Sequence, residues 1–241
     1  MKTVKKLTLL LFVSFTCISY GQNILKKING NGNIVTETRK IDNNFTKIVA
    51  SRGINLYITQ GNEVNLTVKA DENLHDYIVT KVKNGKLKVY FSKGNIGRAK
   101  SKKVYLTVPN IDEIKSHSGS LVKTKNTINA KSFKAIATSG GNLKLTIKAD
   151  DIISKSNTGG NITISGKTNT HRCKASTGGN ISAYTLKSKS VISKARFGGN
   201  IYIFASESII AGATFGGDIR FKGNPKTVKR NRFLGGNIKS K

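Results

Sequence analysis

Ser156-Asn157-Thr158-Gly159-Gly160-Asn161-Ile162-Thr163-Ile164 carries one of six copies of a single phrase, Gly-Gly-Asn or Gly-Gly-Asp followed by Leu or Ile. The other copies begin at Gly140, Gly178, Gly198, Gly216 and Gly235, so the polar residue, Asn142, Asn161, Asn180, Asn200, Asp218 and Asn237, advances by 19, 19, 20, 18 and 19 positions. A period this short cannot house two helices, and no long i, i+3, i+4 apolar pattern competes with strands and turns. Each repeat therefore predicts one coil of a β-solenoid.

Alternate side chains of a strand point to opposite faces, so columns at even spacing from the turn residue share a side. One residue after it come Leu143, Ile162, Ile181, Ile201, Ile219 and Ile238, and nine before it come Phe133, Ile152, His171, Val191, Ile209 and Val228. Seven before stand Ala135, Ser154, Cys173, Ser193, Ala211 and Arg230; five before stand Ala137, Ser156, Ala175, Ala195, Ala213 and Arg232. One large column beside two small ones suits a narrow interior filled without clashes. The glycine pair is expected to supply the positive backbone dihedral of the corner, and each Asn to stack its amide on the next. These six polar residues are thus structural turn positions. Arg230 and Arg232 break the small columns, as a terminal repeat without a covering neighbour would, and residues 225–241 read as a cap.

The first residues follow a different logic. Residues 1–21 combine Lys2, Lys5 and Lys6 with an apolar run from Leu7 to Phe15 and small Ser19 and Gly21 before Gln22. That is the layout of a secretory signal peptide, and the run is too short to span a membrane. Ser14-Phe15-Thr16 before Cys17 lacks the spacing of a lipid attachment site. The mature chain is expected to be exported to the periplasm or cell surface without a transmembrane segment. Removal of Cys17 leaves Cys173 alone, so no internal disulfide forms, and its column makes Cys173 a small core filler.

Residues 22–113 read as an N-terminal β region that caps the solenoid of residues 114–241. Strand-like pieces alternate over Ile54–Ile58, Val64–Val68, Leu87–Phe91 and Val104–Val108. Gln60-Gly61-Asn62 and Lys83-Asn84-Gly85-Lys86 read as hairpin turns, and Asp71 is placed to cap a short helix ending near Tyr77.

The formal net charge is +30. Most of the excess falls from residue 114 onward, where the acids are Asp150, Asp151, Glu207 and Asp218. Lys155, Lys174 and Lys194 occupy the same outward position, six before the turn residue, in three successive coils. Such a row is either a wet face that keeps the chain soluble and its edges unpaired, or a place where a polyanion lies. Three before the turn residue the column changes from Ser139, Thr158 and Thr177 to Phe197, Phe215 and Leu234. This corner is either buried under the cap or an apolar patch that docks a protein partner or a second copy.

Phe45-Thr46-Lys47-Ile48-Val49, leading into Gly53-Ile54-Asn55-Leu56-Tyr57-Ile58-Thr59-Gln60-Gly61, resembles the head GIN domain family of putative auto-transporter adhesins, exported proteins of Bacteroidota. The resemblance continues through Asp71-Glu72-Asn73-Leu74, Asn84-Gly85-Lys86-Leu87 and the repeats, over about residues 30–240, as one GIN-type domain. It implies an all-β chain with a right-handed parallel β-helix at the cell surface or in the periplasm, and supplies no catalytic or ligand-binding residues. The family usually writes its turn Ser-Gly-Ser-Gly where this chain writes Gly-Gly-Asn.

Taken together, the fold expectation is an all-β parallel solenoid of about six to seven coils with an irregular β N-terminal part. No catalytic, metal or cofactor site is expected. Polysaccharide enzymes on β-helices need clustered carboxylates, whereas Asp150 and Asp151 are the one close acidic pair of the repeats. His75, His117 and His171 show no metal spacing. The functional expectation is a non-enzymatic, adhesin-like interaction module binding anionic polysaccharide or lipopolysaccharide through its basic face. Nucleic acid is the weaker candidate, because sequence-independent binding pairs a basic groove with base-stacking aromatics and none interleave with the lysine row, and sequence-specific recognition is not expected. A structural or envelope-stress scaffold comes second, and a polysaccharide-acting enzyme third.

Overall fold

A strand that starts at a turn asparagine does not stop at the next bend but runs on until the following glycine corner. In the computed structural model, which describes residues 27–241, this gives the long strands of the repeats. In chain order the strands are β1 (Lys27–Ile28), β2 (Ile34–Arg39), β3 (Lys47–Ser51), β4 (Asn55–Gln60), β5 (Asn65–Asp71), β6 (Ile78–Lys83), β7 (Lys86–Phe91), β8 (Asn95–Ile96) and β9 (Lys102–Val108). The stack continues with β10 (Glu113–His117), β11 (Leu121–Thr124), β12 (Ile128–Thr138), β13 (Asn142–Asn157), β14 (Asn161–Ser176), β15 (Asn180–Arg196), β16 (Asn200–Thr214), β17 (Asp218–Lys222), β18 (Thr227–Phe233) and β19 (Asn237–Ser240). Successive coils pair in parallel with the turn asparagines facing each other, Asn142 opposite Asn161, then Asn180, then Asn200. The result is a solenoid of about seven turns with a spacing near 19 residues.

The corner shows why two glycines recur. Thr158 (φ 48) and Gly159 (φ 67) both take positive φ, and the Gly160 N–H closes the turn on the Asn157 carbonyl at 3.0 Å. The pair of positive dihedrals is therefore supplied by the residue before the glycines and by the first glycine. The second glycine does something else: a Cβ on Gly160 would lie 2.4 Å from the Ala137 carbonyl oxygen of the preceding coil. It is selected by close backbone approach, not by dihedral.

Inside, the columns pack as large against small. Ile152, His171, Val191 and Ile209 are buried beside Ser154, Cys173, Ser193 and Ala211, and beside Ser156, Ala175, Ala195 and Ala213. At the C-terminal end β18 pairs with β16, so that Arg230 and Arg232 stand opposite Ala211 and Ala213 but are exposed. The Arg230 guanidinium lies 5.4 Å from the centroid of the Phe221 ring, over the last layer of the core.

The N-terminal region is built into the same stack. Arg52 (φ 56) and Gly53 (φ 75) form a corner between β3 and β4, which pair in parallel with β10 and β11. On their other side, β7 and β9 add a further parallel rung, Leu87 opposite Ile48 and Val104 opposite Leu56. The chain thus lays its first coil, wraps the end beyond it, and returns across it to continue the stack. Antiparallel β2, β5 and β6 close that end.

Two local expectations need correction. Asn84 and Gly85 do close the β6–β7 hairpin with φ 54 and 66. Gln60-Gly61-Asn62 closes none, since β4 pairs with β9 and β11 while β5 pairs antiparallel with β9 and β2. Gln60 instead ties down the strand end, with its Nε2 donating to the Pro109 carbonyl at 2.9 Å and its Oε1 accepting the Asn129 N–H at 2.7 Å. A 3-10 helix does span Glu72–Tyr77, but the Asp71 side chain does not cap it. The buried carboxylate accepts the N–H groups of Gly32 at 2.7 Å and Ser101 at 2.8 Å. Burial pushes its pKa up, but these backbone donors outweigh that and hold it below the usual value.

The two glycine roles are separable by mutation. Gly159→Ala meets open space and carries only the left-handed penalty of about 1 kcal/mol, whereas Gly160→Ala must push two coils apart and costs about 3 kcal/mol. Urea denaturation of the two variants measures the difference; equal losses would mean that close approach does not select the second glycine.

Candidate functional site

Beyond the turn, each coil bends at a small residue flanked by outward side chains. In β13 the run is Lys148, Ala149, Asp150; in β14 it is Lys167, Thr168, Asn169; in β15 it is Lys187, Ser188, Lys189. Ala149, Thr168 and Ser188 are buried in register, and their outward neighbours splay to either side. A trough of about 850 Å³ results, running across the coils. Lys148, Lys167 and Lys187 lie opposite one another on successive coils, about 4.8 Å apart at the backbone, and Lys131 and Lys189 complete the basic lining.

The change of period falls beside this trough. Register shifts between Thr163 and Gly166 of β14, and again between Ala183 and Ser188 of β15. Gly166 (φ 120) is required there, because a Cβ would sit 1.9 Å from the Ile147 carbonyl oxygen. The bulged strand brings Lys187 to 4.1 Å from the centroid of the Phe204 ring at the trough's end.

Among the described residues none of these five lysines forms an ion pair. The acid of the trough, Asp150, accepts the Asn169 Nδ2–H at 3.1 Å, and its neighbour Asp151 turns away to pair with Arg172 at 3.5 Å. The trough thus gathers five ammonium groups around one carboxylate, Asp150.

Lys155, Lys174 and Lys194 also lie in register and exposed, but on another face. Beside them is a shallow hollow of about 290 Å³, shared with Ile153, Arg172 and Ile192. The trough lysines were not singled out in the sequence because the 20-residue interval moves Lys187 to seven after its asparagine, whereas Lys148 and Lys167 stand at six. Reading the column through that interval would have found them.

The turn asparagines form a side-chain ladder. Asn161 Nδ2 donates to Asn142 Oδ1 at 3.3 Å, Asn180 to Asn161 at 3.1 Å and Asn200 to Asn180 at 2.9 Å, while Asn237 donates to Asp218. Three residues before them, Phe197 and Phe215 stack with ring centroids 5.0 Å apart, and Phe233 meets Phe215 edge-on at 6.0 Å. This corner is exposed, not covered by the last coil.

Two titratable side chains, His171 and Cys173, lie buried in the core columns of the repeats. His171 is fully buried, its Nε2 2.7 Å from Ser154 Oγ, and burial pushes its pKa down to about 4. Burial pushes the Cys173 thiol up, so it stays protonated and unreactive. His75 bonds Glu37 and the Val35 carbonyl, and His117 meets Ser118 Oγ at 3.0 Å. Among the described residues no three His, Cys, Asp or Glu side chains converge on a metal position. The leader expected at residues 1–21 lies outside the described residues, and no described helix is long and apolar enough to cross a membrane.

His171 gives a test of the buried column. The unfolded imidazole takes a proton below about 6.5 while the folded one refuses it until about 4, so stability falls by about 3 kcal/mol as pH drops through that interval. His171→Val, matching Val191 in the next coil, should flatten this fall in urea titrations run at stepped pH; an unchanged slope would place the acid sensitivity elsewhere.

A putative adhesin from Bacteroides fragilis has the same fold, with a TM-score of 0.82 at 23% identity over 89% of this chain and 100% of its own. A putative adhesin from Parabacteroides distasonis (TM-score 0.73, 20% identity, 90% and 100% coverage) is also similar. So is a protein from the same organism described as a putative lipid binding protein (TM-score 0.72, 21% identity, 90% and 100% coverage). No curated protein matches the chain by sequence. A family model described as putative auto-transporter adhesin, head GIN domain, matches residues 44–225, and the chain belongs to that family.

Proposed function

We propose that this is an exported, non-catalytic, adhesin-like module whose basic trough holds an acidic polysaccharide of the cell envelope or surroundings. The carrying observation is the trough itself: five lysines, three of them in register, without a carboxylate partner. A linear polyanion laid across the coils meets at least one ammonium group on each of β12 to β15, with Asn129 and Asn169 offering amide hydrogen bonds. Family membership supports the adhesin-like role, and the leader-like sequence of residues 1–21 supports export.

The acids of the repeats support binding over turnover. A glycosidase needs two carboxylates flanking one bond, whereas Asp150 faces the trough and Asp151 is engaged by Arg172. Single-stranded nucleic acid is the poorer occupant. Its affinity draws on stacked bases, and Phe204, the aromatic of the trough, is already covered by Lys187.

The two lysine rows provide a matched comparison. Lys148→Glu, Lys167→Glu and Lys187→Glu together should abolish retention on an acidic polysaccharide such as alginate, with the salt dependence losing about one unit of slope per lysine. The same reversal at Lys155, Lys174 and Lys194 changes net charge equally and should weaken binding only modestly. Equal losses in isothermal titration would make the charge a solubility device spread over the surface, as a scaffold without a ligand requires.

A further inference from the structure

The exposed corner of the last coils is unlike the rest of the solenoid. Phe197, Phe215 and Leu234 are 55%, 46% and 57% exposed, and Phe233 beside them is 58% exposed. Phe197, Phe215 and Leu234 sit at φ 48, 49 and 41, a left-handed conformation that bulky side chains rarely adopt. Earlier coils fill the same position with Ser139, Thr158 and Thr177 at the same φ. The corner geometry therefore does not ask for an aromatic, and the core gains nothing from one.

The flanks of this ridge are basic. Arg196 and Arg232 immediately precede Phe197 and Phe233, Lys194 is exposed on the adjoining strand, and Asp218, the nearby acid, is paired with Arg220 at 3.0 Å. A second copy would bring the same cations against these, so self-association is opposed by charge. A convex apolar ridge also needs a partner that yields to it. An apolar edge with cationic flanks is the arrangement that seats at the interface of an anionic bilayer, rings among the upper acyl chains and guanidinium groups at the phosphates.

We infer that the Phe197–Phe215–Leu234 ridge docks the protein on an anionic lipid surface. This is independent of the trough, which opens on a different bend of the coil. The chain has no tryptophan, so Phe215→Trp supplies a lone reporter at the ridge. Its emission should shift to the blue on vesicles of equal parts phosphatidylcholine and phosphatidylglycerol, be quenched by lipid brominated near the headgroup end of the acyl chain, and stay unshifted on phosphatidylcholine alone. In co-sedimentation with the mixed vesicles, Phe197→Ser with Phe215→Ser should weaken partition by about a hundredfold. Serine is already carried at this corner by Ser139, so the fold should survive, as circular dichroism will show; the tryptophan readout stands even if it does not. The trough variant with Lys148, Lys167 and Lys187 reversed should still bind these vesicles. An unshifted emission on mixed vesicles overturns the inference. So does a concentration-dependent dimer in sedimentation velocity that the two serines abolish, which would make the ridge an interface between copies.

Discussion

The close approach of one coil's corner to the backbone of the coil before it is the constraint on which the rest depends. At Gly141, Gly160, Gly179, Gly199, Gly217 and Gly236, a Cβ would stand 2.0 to 2.6 Å from a carbonyl carbon or oxygen of the preceding coil. Next to each, from the second coil onward, the turn residue's N–H bonds the preceding second glycine's carbonyl at 2.9 Å. With the corner fixed so tightly, coils cannot slide there, and the parallel register of the repeat strands is set on both sides of it, to be broken only at the bulges of β14 and β15. Large and small columns then align inside without any further specification.

The same alignment acts on the outside, where it is indifferent to whether the side chains agree. Asparagines benefit, because each amide can both donate and accept along the stack. Asp218 interrupts this ladder: its side chain has no N–H to offer Asn200, so its carboxylate accepts from Asn237 on one side and from Arg220 on its own coil. Lysines in register repel instead and remain tolerable only because water screens them. Their donors find no carboxylate among the described residues, and the proposed seating of an anionic chain rests on that.

How much of this was legible in the sequence depended on whether a feature obeys the period. The core columns do, and Ile162, Ala175 and Cys173 could be placed inside from spacing alone. The division of labour between the glycines was hidden, because Thr158 looks ordinary in sequence yet holds a positive φ. The trough was hidden by the single extra residue before Lys187. The rung of β7 and β9 was hidden for another reason: its partners, β3 and β4, lie some forty residues earlier, and nothing local in Leu87 or Val104 announces a return to them. Asp71 was misread because a helix start in sequence offers an obvious acceptor role, while its actual donors, Gly32 and Ser101, come from either side in the chain.

A stack of identical coils presents an identical surface on every coil, so specificity can enter only where the repeat is broken. In this chain the breaks are concentrated. The 20- and 18-residue intervals flank Asn200, the bulge between Ala183 and Ser188 sets Lys187 against Phe204, and the corner column turns aromatic at Phe197. The tyrosines Tyr184 and Tyr202 meet on the same coils, with ring centroids 5.7 Å apart, and Lys222 and Arg220 lie over them. The coils that begin at Asn142 and Asn161 keep Thr146 and Ser165 where the next two have Tyr184 and Phe204, and a further aromatic pair stands at the N-terminal end, where Tyr57 and Tyr105 stack at 5.2 Å beside Lys125. The coils from Asn180 onward therefore carry the broken repeat and the aromatic ridge, while the basic trough runs back from Lys187 across the regular coils to Lys131, with trough and ridge held on separate bends. Because both features ride on one inextensible backbone ladder, their separation is fixed by the fold itself, and a polymer in the trough and a surface under the ridge would be held at a constant distance from one another.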